Sequence, residues 1–322
     1  MDFWGDLHMK TMSQMRRRSF LACVGMSAGV AVSGAFAKEG KQAADGKPRF
    51  RFSLNPATVR PYKLPFREQI RIAIEAGYDG IEPWVSDIRI AKEKGELAEL
   101  RARCADAPLA LINAIGFAPW AVSDATERAK GLEEMKRDMA LVAELGCTRI
   151  AAPPAGITGQ PKVPLEALAE RYRAVLELGA TMGVRPLLEF WGASANLSRL
   201  DEAIAVAAAS EHPDAAVLAD VYHTYRGGCS VEAFRFLTSA TLPVLHMNDY
   251  PATPERGQLK DADRVWPGDG IAPWRRIFEI LRGNSCYPWL SLELFHAEYC
   301  QTTPLETVRT GLEKMLVAVT RY

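Results

Sequence analysis

From position 49 onward, short apolar runs rich in β-branched residues alternate with longer stretches in which apolar residues recur every three or four positions. The first pattern suits strands buried in a parallel sheet and the second suits amphipathic helices. The alternation predicts eight strand–helix units. Strand candidates are 50–54, 80–82, 109–114, 149–152, 186–189, 216–220, 244–247 and 289–293, and helix candidates between them include 65–76, 124–145, 164–182, 200–209, 231–239, 273–281 and 303–319. Gly77, Gly146 and Gly183 follow three of these helices, where a left-handed C-cap is expected. Eight units without a linker or a shift in composition predict an α/β chain folded as a single (β/α)8 TIM barrel over 49–322. The absence of G-x-G-x-x-G after the first strand removes the usual dinucleotide-binding reading.

The segment before the barrel has a different pattern. Arg16-Arg17-Arg18-Ser19-Phe20-Leu21 leads into an uncharged Ala/Gly/Val run over 22–36, which ends in Ala35-Phe36-Ala37 before Lys38. Basic, apolar and small-x-small parts in that order form a secretory signal, and Arg17-Arg18-x-Phe20-Leu21 resembles the bacterial twin-arginine export signal. A cleavable signal over 1–37, a flexible leader over 38–48 and a folded protein delivered to the periplasm are therefore expected. An apolar run of about 15 residues falls short of the roughly 20 needed to cross a bilayer, so no stable membrane insertion is expected.

Composition narrows the partners. Hydrophobic residues at 48% and charged residues at 24% are ordinary globular values, enough for a large core. Lys plus Arg and Asp plus Glu are each 39, so there is no net positive charge for gripping nucleic acid, and no nucleic-acid partner is expected. Of six cysteines, Cys23 lies in the export segment, and the other five are scattered without a C-x-x-C. Neither a disulfide framework nor a structural zinc knot is indicated. The formation of a homo-oligomer is left open.

In a TIM barrel, catalytic groups sit at the C-terminal ends of the strands. The fifth to eighth strand candidates end there in Glu189, Asp220, His246 and Glu293. One such residue alone could simply cap the next helix. Four on consecutive strands converge, because adjacent strand ends lie about 5 Å apart. Three crowded carboxylates repel one another unless a cation neutralises them. One divalent metal ion resolves the conflict, and an oxygen-rich donor set with one imidazole suits Mn2+, Mg2+, Co2+ or a catalytic Zn2+.

The segments Leu188-Glu189-Phe190, Asp220-Val221-Tyr222-His223, His246-Met247-Asn248-Asp249, Pro267-Gly268-Asp269-Gly270 and Leu292-Glu293-Leu294-Phe295 occur in this order. In them the chain resembles the xylose isomerase-like TIM barrels, described as sugar phosphate isomerases and epimerases, and especially the ketose 3-epimerases typified by D-tagatose 3-epimerase. The resemblance implies that Glu189, Asp220, His246 and Glu293 hold the metal, that Glu189 and Glu293 double as the catalytic acid and base, and that His223 contacts a substrate oxygen. Moving a proton next to a carbonyl needs a base on one face, an acid on the other and a cation at the developing enediolate, which is consistent with that set.

Departures bear on the substrate. The ketose epimerases carry an arginine soon after the metal-binding histidine, whereas His246-Met247-Asn248-Asp249-Tyr250-Pro251 has none and the next is Arg264. That spacing looks more like inositol-pathway isomerases. Arg264 either binds substrate or is an exposed helix-flanking or salt-bridged arginine. Glu82, before Pro83-Trp84, either helps position substrate or caps a loop. Trp191, Trp120 and Asn113 are expected as pocket walls, the indoles stacking on a sugar face, and His296 as a pocket residue. The expected function is a metal-dependent isomerase or epimerase acting on a sugar or cyclic polyol outside the cytoplasm. A keto-sugar lyase or hydratase processing 3-keto-glycosides through the same metal site, and a non-catalytic sugar-binding barrel, are the alternatives. A nuclease like endonuclease IV would need further histidines on strands two and three, where 80–82 and 111–113 supply none.

Overall fold

The computed structural model describes residues 49–322; the expected signal over 1–37 and leader over 38–48 lie outside them. Eight parallel strands, β1 (Arg51–Leu54), β2 (Gly80–Ile81), β3 (Ala110–Leu111), β4 (Arg149–Ala152), β5 (Arg185–Glu189), β6 (Val217–Asp220), β7 (Val244–Met247) and β8 (Trp289–Leu292), run in the order β3-β2-β1-β8-β7-β6-β5-β4. The ring closes beyond β3. The Ala114 amide donates to the Arg149 carbonyl at 3.0 Å and the Ala151 amide to the Ala114 carbonyl at 2.8 Å. The expected barrel is thus present, with β2 and β3 shorter than their sequence runs. Glu82 still bonds the Leu54 carbonyl at 2.9 Å, but Pro83 has no N–H to continue the ladder.

Around the strands lie α1 (Phe66–Ala76), α2 (Val85–Glu93), α3 (Leu97–Asp106), α4 (Ala125–Leu145), α5 (Leu165–Met182), α6 (Leu200–Ala209), α7 (Val221–Arg226), α8 (Trp274–Gly283) and α9 (Pro304–Arg321). Gly77, Gly146 and Gly183 end α1, α4 and α5 with φ of 93°, 93° and 67°, as their positions suggested. The helix expected over 231–239 is a 3-10 turn, Val231–Phe236.

Period two along the strands sorts side chains into layers. Leu188, Ala219, Leu245 and Leu290 face outward into the helix layer. Leu187, Leu218, Val244 and Trp289 fill the barrel interior, with the Arg51 guanidinium 3.7 Å from the Trp289 ring. Two residues further along each of these strands, on the same inner face, stand Glu189, Asp220, His246 and Ser291. One more inward step from Ser291 is Glu293. The apolar plug thus forms the floor on which the polar cluster rests.

Gly131, the seventh residue of the 21-residue α4, shows how tightly the helices are seated. A Cβ there would lie 2.4 Å from the Pro119 carbonyl oxygen and 2.8 Å from its carbon. Alanine is the better helix former by about 1 kcal/mol, but it cannot fit against rigid backbone. Gly131→Ala is expected to lower stability by about 1–3 kcal/mol in thermal or urea denaturation, and an unchanged or higher midpoint would contradict the packing.

Candidate metal centre and cleft

Asp220, His246 and Glu293 offer ligand atoms that all lie within 4.8 Å of one another, and all three residues are buried. The ladder sets the approach, pairing Asp220 with His246 and His246 with Ser291 in register. Asp220 divides its two oxygens. Oδ1 accepts the His223 amide at 2.6 Å and caps α7, while Oδ2 accepts Asn248 Nδ2 at 2.8 Å and faces the cluster. The capping role and the site role therefore coexist in one side chain.

His246 is turned edge-on between acids. Its Nε2 lies 3.0 Å from Glu82 Oε2, and its Nδ1 lies 3.2 Å from Glu293 Oε2 and 3.7 Å from Asp220 Oδ2. Nδ1 is buried without a hydrogen-bond partner among the described residues. An imidazole nitrogen orphaned beside two carboxylate oxygens fits a divalent cation, which accepts a nitrogen lone pair and neutralises the acids together. Burial disfavours a charged ring here, but Glu293 and Glu82 outweigh it and hold the His246 pKa well above its ordinary value. Burial would likewise raise Glu293, yet His246 and Arg264 keep its carboxyl well below the usual range.

Glu189 stands outside this group of three. It is 4% exposed and its Oε2 has no hydrogen-bond partner among the described residues. Burial pushes its carboxyl up to about 8, offset in part by His246 and a hydrogen bond from Trp191, and reinforced by Glu293. The two glutamates are therefore pushed in opposite directions, the pattern that separates an acid from a base.

A cleft of about 620 Å³ opens above the cluster, and both Glu189 and Glu293 reach it. Trp84, Phe117 and Trp191 form one wall, with ring centroids 5.1 Å apart for Trp84–Phe117 and 6.1 Å for Phe117–Trp191. Trp191 is placed as expected. Trp120 is not; it is fully buried between α5 and the loop before it, donating to the Pro153 carbonyl at 2.8 Å. His296 stacks on Tyr299 and meets the Arg264 carbonyl at 3.1 Å, so it braces a loop.

Arg264 is salt-bridged and buried. It lines the cleft, and it is 1% exposed with Nη1 2.8 Å from Glu293 Oε2 and 3.1 Å from Asp220 Oδ2. Nη2 lies 2.7 Å from Asp261 Oδ1 and 3.1 Å from His223 Nε2, and Tyr222 and Phe295 flank the guanidinium at 4.5 and 5.0 Å. The loop that delivers it is tied down by Asp249, whose oxygens accept the amides of Gly268 and Ala272 and the Trp274 indole N–H, each at 2.8–2.9 Å. His223 also lines the cleft, accepting the Gly192 amide at Nδ1, and burial takes its pKa down to about 4, so the ring is neutral at working pH.

Glu82 is the correction. Expected as a substrate contact or a loop cap, it is fully buried below the cleft and does not line it. Its oxygens are taken by Asn55 Nδ2 at 3.1 Å, Asn113 Nδ2 at 2.8 Å, the Ser291 hydroxyl at 2.7 Å and His246. Pro83 ends the ladder just after it, leaving the side chain on the inner face. Asn113, expected as a pocket wall, belongs to the same buried set. Asn55, Asn248 and Ser291 complete the cluster; no local signal gives them a role, although Ser291 sits one inward step before Glu293.

A TIM barrel with a carboxylate–histidine cluster at the ends of its later strands defines the class. Residues 70–317 match the xylose isomerase-like TIM barrel family, and the chain belongs to it. An inosose isomerase of Bacillus velezensis is 25% identical over 269 residues, covering 80% of this chain and 92% of that protein. The fold is shared with a solved IolI protein with a bound zinc atom, at TM-score 0.78 and 20% identity over 85% of this chain and 99% of that one. A D-psicose 3-epimerase from Clostridium cellulolyticum H10 superposes at TM-score 0.69 and 15% identity, over 84% and 99%.

Proposed function

We propose that the protein is a metal-dependent isomerase or epimerase that moves a proton next to the carbonyl of a sugar or cyclic polyol. The observation that carries this is the bare Nδ1 of His246 set between Asp220 and Glu293, beside a Glu189 whose free oxygen belongs to the same cleft. The inosose isomerase relatives and the epimerase fold neighbours support the reaction class.

Asp220, His246 and Glu293 would hold the cation, with Glu189, expected as a fourth ligand, adjacent to them. A divalent ion there would polarise the carbonyl and stabilise the charge that develops when the proton leaves. Glu189 takes or returns the proton, because its raised pKa lies near working pH, where a group can do both. Glu293 serves the opposite face. His223 and Arg264 orient the substrate oxygens, and the Trp84–Phe117–Trp191 wall covers the apolar face of the ring.

The test is incubation of metal-reconstituted protein in D2O with ketoses, inososes and 3-keto-glycosides. Deuterium incorporation at one carbon, without loss of mass elsewhere, is expected. Release of a leaving group would replace this reading with elimination by a keto-sugar lyase, and ligand binding without exchange would leave a sugar-binding barrel.

The Arg17-Arg18 pattern supports a periplasmic place for this reaction. Replacing both arginines by lysine is expected to retain precursor in the cytoplasm of a bacterium with a working twin-arginine system. Unimpaired export of that variant would remove the assignment.

A further inference from the structure

We infer that Glu82 is the positioning residue that fixes which nitrogen of His246 faces the metal. The inference rests on reading the cluster as a metal centre, and it starts from atoms outside that cluster. Asn55 has a determined amide orientation, since its Oδ1 accepts both the Trp84 indole N–H at 3.1 Å and the Ala57 amide at 3.0 Å. Its Nδ2 therefore donates, to Glu82 Oε2 at 3.1 Å and to Glu293 Oε1 at 3.0 Å. Ser291 donates its hydroxyl to the same Glu82 oxygen, and Asn113 donates to the other.

Glu82 is thus clamped as an acceptor on both oxygens, with no solvent to rearrange into. The ring nitrogen 3.0 Å from Oε2 must supply the hydrogen, so His246 Nε2 is the N–H. Nδ1 is then the atom left to give a lone pair, and it is the one that points at Asp220 and Glu293 without a hydrogen-bond partner. A carboxylate behind a ligating imidazole fixes its tautomer and ring plane and raises its basicity. Here Asn55 ties that carboxylate to Glu293 through one amide, so the supporting residue and a ligand are set by the same group.

Two measurements test this. In Zn2+-loaded protein, 15N spectra of the histidines should show His246 bound through Nδ1 with Nε2 protonated; binding through Nε2 would overturn the inference. The near-isosteric Glu82→Gln, with its fold checked by circular dichroism, should bind Zn2+ about 10- to 100-fold more weakly than wild type, the usual effect of losing such a partner. Glu82→Asp, which keeps the charge, should recover part of the loss. Affinity of Glu82→Gln within about threefold of wild type would make Glu82 a packing residue. Should Glu82→Gln fail to fold, the wild-type spectrum still decides. A wild type that takes up no Zn2+, Mn2+ or Co2+ would instead refute the metal centre, and with it this role.

Discussion

Glu189→Gln should lower turnover by about 10² to 10⁴ while leaving the bound metal in place, because the amide keeps the shape of the side chain but cannot accept a proton. The two effects separate because Glu189 lies outside the Asp220, His246 and Glu293 group and its Oε2 has no hydrogen-bond partner among the described residues. Glu293→Gln should also abolish turnover, but with weakened metal binding, because it alters a member of the group and a partner of Arg264. Comparing metal content with single-turnover rates separates the two. If Glu189→Gln with metal bound stayed within about threefold of wild type on the true substrate, the base would have to be sought elsewhere, with His223 the first candidate. The same substitution has a thermodynamic signature. A carboxyl raised to about 8 by burial contributes stability below its unfolded pKa near 4.3 and loses it as pH rises through the folded value. Metal-free wild type should therefore lose stability between about pH 4 and 8 relative to Glu189→Gln, a difference that urea denaturation across that range would detect.

His246→Ala should lose most of the bound ion. Wild type is expected to hold about one divalent ion per chain, and removing the single nitrogen donor should weaken binding by about 100-fold or more, since both a bond and the geometry of the site are lost. The variant also leaves Glu82 without the ring it faces. Because Glu293 and Glu82 raise the His246 pKa well above its ordinary value, a proton competes with the ion for Nδ1, and affinity should fall as pH is lowered. Elemental analysis after dialysis and calorimetry in buffers of different ionisation enthalpy would measure both effects. Full retention of metal in His246→Ala and in Asp220→Ala would refute the centre.

What the sequence determined by itself follows from periodicity. Alternation of strand and helix patterns, closed by Gly77, Gly146 and Gly183, specifies eight βα units, and period two along a strand specifies which residues share a face. Glu189, Asp220, His246 and Glu293 could be read as neighbours because each stands at the inward end of an apolar run. Periodicity carries no information about which residue is met across the barrel. Glu82 and His246 are 164 positions apart, and closure of the ring brings them within 3.0 Å. Read locally, Glu82 was a strand-end acid in front of a proline, equally suited to a cleft or a cap. Only tertiary structure placed it beneath the cleft, where every oxygen is occupied. Arg264 is a similar case, since it arrives from a loop without periodicity whose path depends on Asp249 gathering two distant amides and an indole. Local pattern thus decided the face on which each group lies, and the closed geometry of the barrel decided its partner.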